Sequence, residues 1–175
     1  ALVYKGNPPL RTGADVEALR EGLADGTIDI VATDHAPHSV EDKECEWDYA
    51  AFGMVGLQTA LSVVIETMVK PGRLTWAGVA ERMSAAPAAI GRTASQGLPL
   101  VEGSPANIVL VDPDATWTVD PAALAGKSRN SPFGGMTMPG VVRWTILYGE
   151  PTVAEGRLTT PTPGALAEAV ALYAR

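Results

Sequence analysis

The feature that most constrains this chain is a helical repeat that feeds directly into a run of β-branched residues. Val16, Leu19 and Leu23 recur three and four apart with charged residues between them, which predicts a helix over Asp15–Ala24. Thr12 reads as its N-cap, Asp15 as the far side of a capping box, and Gly26 as its stop. Ile28-Asp29-Ile30-Val31-Ala32-Thr33 follows at once. Such a short, mostly apolar run after a helix suits an inner parallel strand covered on both faces. A helix delivering the chain into a buried strand is the signature of an α/β fold.

Composition narrows the function classes. At 175 residues and 46% hydrophobic content the chain can bury a core, which excludes disorder as its main state. Its 18 glycines and 14 prolines exceed the usual ~12% and favour turns over a long-helix bundle. A formal charge of −7 argues against a general nucleic-acid surface, which needs clustered Lys and Arg, and against polyanionic membrane surfaces. Cys45 is the only cysteine, so neither an intramolecular disulfide nor a cysteine zinc knuckle is available. The longest apolar stretch, Leu57 to Val69, is broken by Gln58 and Glu66 and is too short to span a bilayer. With no secretory leader visible, the expectation is a cytoplasmic protein. Leu2-Val3-Tyr4 reads as the end of a strand with no cap before it, which suggests one segment of a longer polypeptide.

Farther along, Asp34–Ala51 is a polar loop rich in Asp and Glu, of a length that is usually functional or mobile. Helical spacing returns over Gly53–Lys70, with Leu57, Leu61, Val64, Ile65 and Met68 on one side, and Pro71-Gly72 ends it. Thr75 caps a further helix through Ala85, and Pro87 starts a short one ending near Gly91. The character changes near residue 95. Ile108–Val111, Thr116–Val119, Val141–Leu147 and Thr152-Val153 are strand-like runs, divided by turns at Asp112-Pro113, Gly134-Gly135 and Tyr148–Pro151. An Ala-rich helix over Gly164–Tyr173 closes the chain. The expectation is an α/β unit over 1–95 and a small β unit over 96–175.

Both histidines lie in Asp34-His35-Ala36-Pro37-His38, at the C-terminal end of the expected strand. In α/β barrels reacting groups gather at that edge, and one carboxylate with two imidazoles offers a metal ligand, a general base and a hydrogen-bond donor. The bland alternative is a capping aspartate with two surface histidines. Glu41, Asp42, Glu44 and Glu46 read as a solvated face, Cys45 as a plain loop thiol, and Arg129 as a brace for the small β unit. Gly134–Gly140 lacks the Lys-Ser/Thr and helix of a phosphate cradle and reads as a turn.

Asp34–His38 after its strand resembles the dihydroorotases of the amidohydrolase superfamily. Asn7-Pro8-Pro9-Leu10-Arg11 matches a second motif of that family, and Asp25–Asp29 extends the match. Ala51-Phe52-Gly53 with Gly56-Leu57-Gln58-Thr59, and Ser128-Arg129-Asn130-Ser131-Pro132-Phe133, resemble two more, in the same order and spacing. Ala51 for proline and Gln58 for glutamate are small departures.

The resemblance implies the C-terminal part of a (β/α)₈ TIM-like barrel followed by a small all-β domain that the family completes with its N-terminal residues. It implies a two-zinc enzyme interconverting N-carbamoyl-L-aspartate and L-dihydroorotate in pyrimidine synthesis. By motif position, Asp34 would be a zinc ligand and the catalytic acid–base. His38 and Asn7 would hold substrate, and the Phe52-Gly53 backbone would contact its ring. His35 and Arg11 carry no assigned role. The family's other metal ligands, an early His-x-His pair among them, would belong to an N-terminal remainder of the same protein. A homodimer is expected. The alternatives are a non-catalytic homologue that scaffolds aspartate transcarbamoylase, and a hydantoinase or allantoinase. The Asn7–Arg11 motif and His38 favour dihydroorotase.

Overall fold

In the computed structural model the residues described are 2–160, together with Gly164, Ala167 and Ala171. The closing helix expected over 164–173 otherwise lies outside the described residues.

Helix α1 spans Gly13–Asp25 and starts as its sequence dictates. The Thr12 hydroxyl accepts from Asp15 N–H, while the Asp15 carboxylate accepts from Thr12 N–H at 3.0 Å. These reciprocal bonds satisfy backbone donors that the first turn leaves free. Gly26 ends the helix at φ 91°, a left-handed cap that only glycine adopts without strain.

Two expected strands do not form. Residues 28–33 make no ladder; Val31 N–H instead donates to Arg82 O at 3.0 Å. A strand exists through its neighbours, and none flanks this run among the described residues. Leu2–Tyr4 is a 3₁₀ turn closed by Lys5 N–H on Leu2 O, not a strand end.

The long loop holds a short helix, α2, over Val40–Lys43, capped by Ser39 Oγ on Asp42 N–H. Helix α3 covers Ala60–Val64 and runs on through a wider π-type turn, Ile65–Val69. It begins later than its spacing suggests, because Met54 is bridged to His35 and residues 57–59 form a turn ahead of the helix. Leu57 is therefore 63% exposed rather than in the core. The other expected apolar positions do pack inward. Val64 and Met68 join Leu74 and Val79 in a buried cluster flanked by Leu23, Val31 and Leu61. Burial of each such side chain contributes about 1.5–3 kcal/mol.

Helix α4, Trp76–Ala80, is capped by Thr75 Oγ1 on Gly78 N–H. It continues through a π-type turn, Glu81–Ala85, into α5, Ala86–Gly91. The helix therefore does not restart at Pro87. Widening the turn before the proline lets the chain pass a residue that lacks an N–H and would crowd the carbonyl of Met83.

Four antiparallel strands follow in the order β1-β2-β3-β4: β1 Ile108–Thr118, β2 Thr137–Leu147, β3 Glu150–Ala154 and β4 Arg157–Leu158. The turn expected at Asp112-Pro113 is not one. β1 runs through it, and the register with β2 shifts between Asp112 and Thr116. A proline cannot donate to the ladder, so an irregular stretch is where a strand tolerates it. Tyr148-Gly149 and Glu155-Gly156 all have positive φ and form two-residue hairpin turns that match the strand twist. The sheet docks on α3 through Trp117 Nε1–H, which donates to buried Ser62 Oγ at 3.0 Å. Gly140, at φ 81°, leaves room there for Ile65. No helix among the described residues is long and apolar enough to cross a membrane.

Candidate functional site

The site forms where residues 34–38 run beside residues 52–57, joined by one parallel bridge at His35 and Met54. Ala36 N–H donates to Met54 O at 3.0 Å. Each histidine ties one ring nitrogen to the neighbouring segment. His35 Nδ1 accepts from Gly56 N–H at 3.1 Å and from Leu57 N–H at 3.4 Å, which puts the ring proton on Nε2. His38 Nε2–H donates to Phe52 O at 2.7 Å, and Nδ1 has no partner among the described residues.

Asp34 differs from its neighbours. Its backbone sits at φ 45°, in the left-handed region where a residue other than glycine carries strain. Its side chain is exposed and makes no hydrogen bond among the described residues. A free carboxylate at a strained segment end, one residue before a fixed imidazole, can ligate a metal or move a proton. Among the described residues no three His, Cys, Asp or Glu side chains converge as a metal site. Asp34 thus fits as one ligand of a shared site, not as a site by itself.

Phe52-Gly53 is held from several directions. Gly53 N–H donates to Lys5 O at 2.9 Å, which brings the segment carrying Asn7 alongside. Asn7 itself is exposed, ahead of a cis peptide to Pro8. Gly53 has φ 121°, and a Cβ there would collide with Ala36 Cβ and lie 3.3 Å from His38 Nε2. Only glycine meets both demands. Phe52 presents its ring to the Lys5 ammonium, 4.6 Å from the centroid. Arg11 turns away to pair with Asp15 at 3.6 Å on the surface of α1, a contact of little energetic weight.

Three side chains that hold this site were not singled out from the sequence. Asn130, 5% exposed, donates from Nδ2 to Ala36 O at 2.9 Å and Gly53 O at 3.2 Å, and accepts His38 N–H at Oδ1. Lys43 is 4% exposed and donates to Ala51 O and Gly53 O. Burial, with the Lys5 cation nearby, pushes the Lys43 amine below its ordinary pKa. Lys5, also buried, donates to Trp47 O and Asp48 O. Asn130 lay within the Ser128–Phe133 motif, which gave it no role of its own. Its neighbour Arg129, expected as a brace, closes its own loop on Leu124 O at 3.0 Å. Lys43 lay hidden in a run of acidic residues, and nothing local marks it as buried.

No family model matches the chain. Curated relatives do. A dihydroorotase of Streptomyces coelicolor is 62% identical over 157 residues, covering 90% of this chain and 37% of that protein. The dihydroorotases of Leifsonia xyli and Mycobacterium tuberculosis are 56% and 54% identical over 93% and 89% of the chain. The chain thus spans little more than a third of the length of these relatives. Among solved structures, an L-hydantoinase (dihydropyrimidinase) from Arthrobacter aurescens matches with a TM-score of 0.82 and 32% identity, over 90% of this chain and 36% of its own. A D-hydantoinase from a Thermus species gives 0.81 and 25%, over 91% of this chain and 35% of its own.

Proposed function

We propose that this chain, a homologue of dihydroorotases along nine-tenths of its length, is the C-terminal part of a metal-dependent hydrolase that opens the ring of dihydroorotate and closes it in reverse. The barrel strands missing around residues 28–33, and the remaining ligands for two zinc ions, belong in this reading to the rest of the polypeptide. The observation that carries it is Asp34: a carboxylate held in a strained backbone, unpaired, beside two anchored histidines, in a sequence context that matches dihydroorotases at 62% identity.

Asp34 would hold the metal, which when bound acts as a Lewis acid on the ring amide and lowers the pKa of water. Asp34 accepts the proton of the attacking water. The water oxygen bonds to the amide carbon, the carbon–nitrogen bond breaks, and Asp34 returns the proton to the departing nitrogen. His38 keeps Nε2–H on Phe52 O and so has Nδ1 left for substrate, near its carboxylate. Within the Phe52-Gly53 pair, Phe52 O is engaged by His38, Gly53 N–H by Lys5, and Gly53 O by Lys43 and Asn130. Phe52 N–H has no partner among the described residues and is the main-chain donor left for a substrate oxygen. Asn7 supplies a side-chain amide from the adjoining segment.

The hydantoinase-like architecture makes hydantoin ring opening the competing activity. The test is turnover of the metal-loaded complete polypeptide on dihydroorotate and on hydantoin, side by side. Preference for dihydroorotate supports the proposal. Preference for hydantoin, or no ring opening at all, overturns it.

A further inference from the structure

The Gly53 peptide is gripped by two buried side chains that the reaction above does not use. Lys43 Nζ donates to Gly53 O at 3.0 Å and to Ala51 O at 2.8 Å. Asn130 Nδ2 donates to the same Gly53 oxygen at 3.2 Å. Two donors fill the lone pairs of that carbonyl. Asn130 also reaches the opposite segment, at Ala36 O and at His38 N–H. A single amide thus ties both sides of the cleft, the strip bearing His38 and the strip bearing Phe52-Gly53. It comes from a segment 77 residues beyond Gly53 and more than 90 beyond the His38 strip.

Lys43 is an expensive way to satisfy carbonyls. Its ammonium is nearly inaccessible and has no carboxylate within ion-pair distance among the described residues. A buried cation without a counter-ion pays for its desolvation only through its hydrogen bonds. Here those bonds go to the carbonyls of the two residues on either side of Phe52, Ala51 O and Gly53 O. Gly53 itself adopts φ 121°, and a glycine backbone can turn to several other orientations at little steric cost. Contacts outside the glycine set it: Lys5 O holds its N–H, and the two donors hold its oxygen.

We propose that Lys43 and Asn130 are positioning residues for substrate binding. Together they fix the Gly53 peptide, and with it the separation between the His38 ring and the free Phe52 N–H. The proposal rests on His38 and Phe52-Gly53 being the substrate-binding groups. Neither residue touches substrate. Their removal lets the cleft relax, so affinity falls while the metal and Asp34 stay in place.

The test uses the metal-loaded complete enzyme. Asn130→Asp keeps the shape but turns an oxygen toward the two carbonyls. Lys43→Met removes donors and charge, and Lys43→Gln restores a donor without charge. Asn130→Asp and Lys43→Met should each raise KM for dihydroorotate about tenfold or more, with kcat within about threefold and metal content unchanged. Lys43→Gln should recover most of the loss. The double variant should be little worse than the poorer single one, because both act on one carbonyl. An independent readout is the His38 Nε2–H proton in NMR spectra of ¹⁵N-histidine-labelled enzyme. It should be hydrogen-bonded in the parent and shifted or broadened in Asn130→Asp, an isosteric change that keeps the test open if Lys43→Met fails to fold. Unchanged KM, loss of metal, or a Lys43→Gln no better than Lys43→Met would overturn the proposal. If the parent hydrolyses no dihydroorotate, the activity reading has failed and the His38 proton alone decides on positioning: its shift in Asn130→Asp supports the tie, and an unshifted proton refutes it.

Discussion

Replacing Gly53 by alanine adds one methyl group at the point where the two strips of the cleft meet. At φ 121° an L-residue carries a backbone cost of about 1–3 kcal/mol. The new Cβ collides with the Ala36 methyl and presses on His38 Nε2 from 3.3 Å, and relieving such overpacking costs about 1–3 kcal/mol more. The Ala36 side cannot yield freely, since Ala36 is held at both its N–H and its carbonyl. The displacement therefore falls on His38 and its bond to Phe52 O. If even 1.4 kcal/mol of the ~2–6 kcal/mol total reaches substrate binding, KM rises about tenfold. Gly103→Ala is the control. It has φ 88° but nothing within 4 Å of its would-be Cβ, so it isolates the backbone cost. Steady-state hydrolysis and thermal unfolding of both variants in the complete enzyme give the comparison. Gly53→Ala should lose both affinity and stability, and Gly103→Ala stability alone. Equal KM values for the two variants would refute the argument that the Ala36–Gly53–His38 contact sets the cleft.

Three further outcomes follow from other parts of the chain. Thr12→Ala removes the hydroxyl half of the α1 capping box and should cost about 0.5–2 kcal/mol by denaturant unfolding; an unchanged midpoint would mean the cap is idle. Glu17 is held below its usual pKa of 4.5, first by its hydrogen bond to Arg20 and then by that to Arg73. A depressed carboxylate stabilises above its unfolded pKa and loses that effect as pH falls through the folded one. The gap in thermal midpoint between wild type and Glu17→Gln should thus shrink as the pH drops below 4.5, and a constant gap would contradict the pairing. His38→Ala and Asn7→Ala should each weaken catalysis with metal content unchanged, and metal loss in either, by elemental analysis, would mean the wrong role.

What could be read from the sequence divides along a physical line. Local chemistry was legible. Thr12, Asp15 and Gly26 place the ends of α1 because capping is settled within a few residues. Val64 and Met68 reach the core because a periodicity of 3.6 needs no distant partner to be recognised. Non-local pairing was not legible. Ile28–Thr33 has the residues of a buried strand, yet strand formation requires a flanking strand. Pro113 looks like a turn, but β1 passes through it because β2 holds both ends of the irregular stretch. At the site, Asp34 and His38 were visible as chemistry-bearing types, and Phe52 and Gly53 only through a motif that resembles one of the dihydroorotases. Lys43 and Asn130 were not, because their importance lies in carbonyls contributed by other segments. Asp34 gave no advance sign of its left-handed backbone, which sits one residue before the bridge at His35.

The central claim is that Asp34 is both metal ligand and proton carrier. Asp34→Asn keeps the side chain's shape and removes its charge and basicity. Measured in the metal-loaded complete enzyme, kcat for dihydroorotate should fall by at least 10²–10⁴, the usual contribution of general acid–base catalysis. Bound metal, measured on the same sample, should fall as well. Turnover close to that of the parent, with full metal content, would contradict the account.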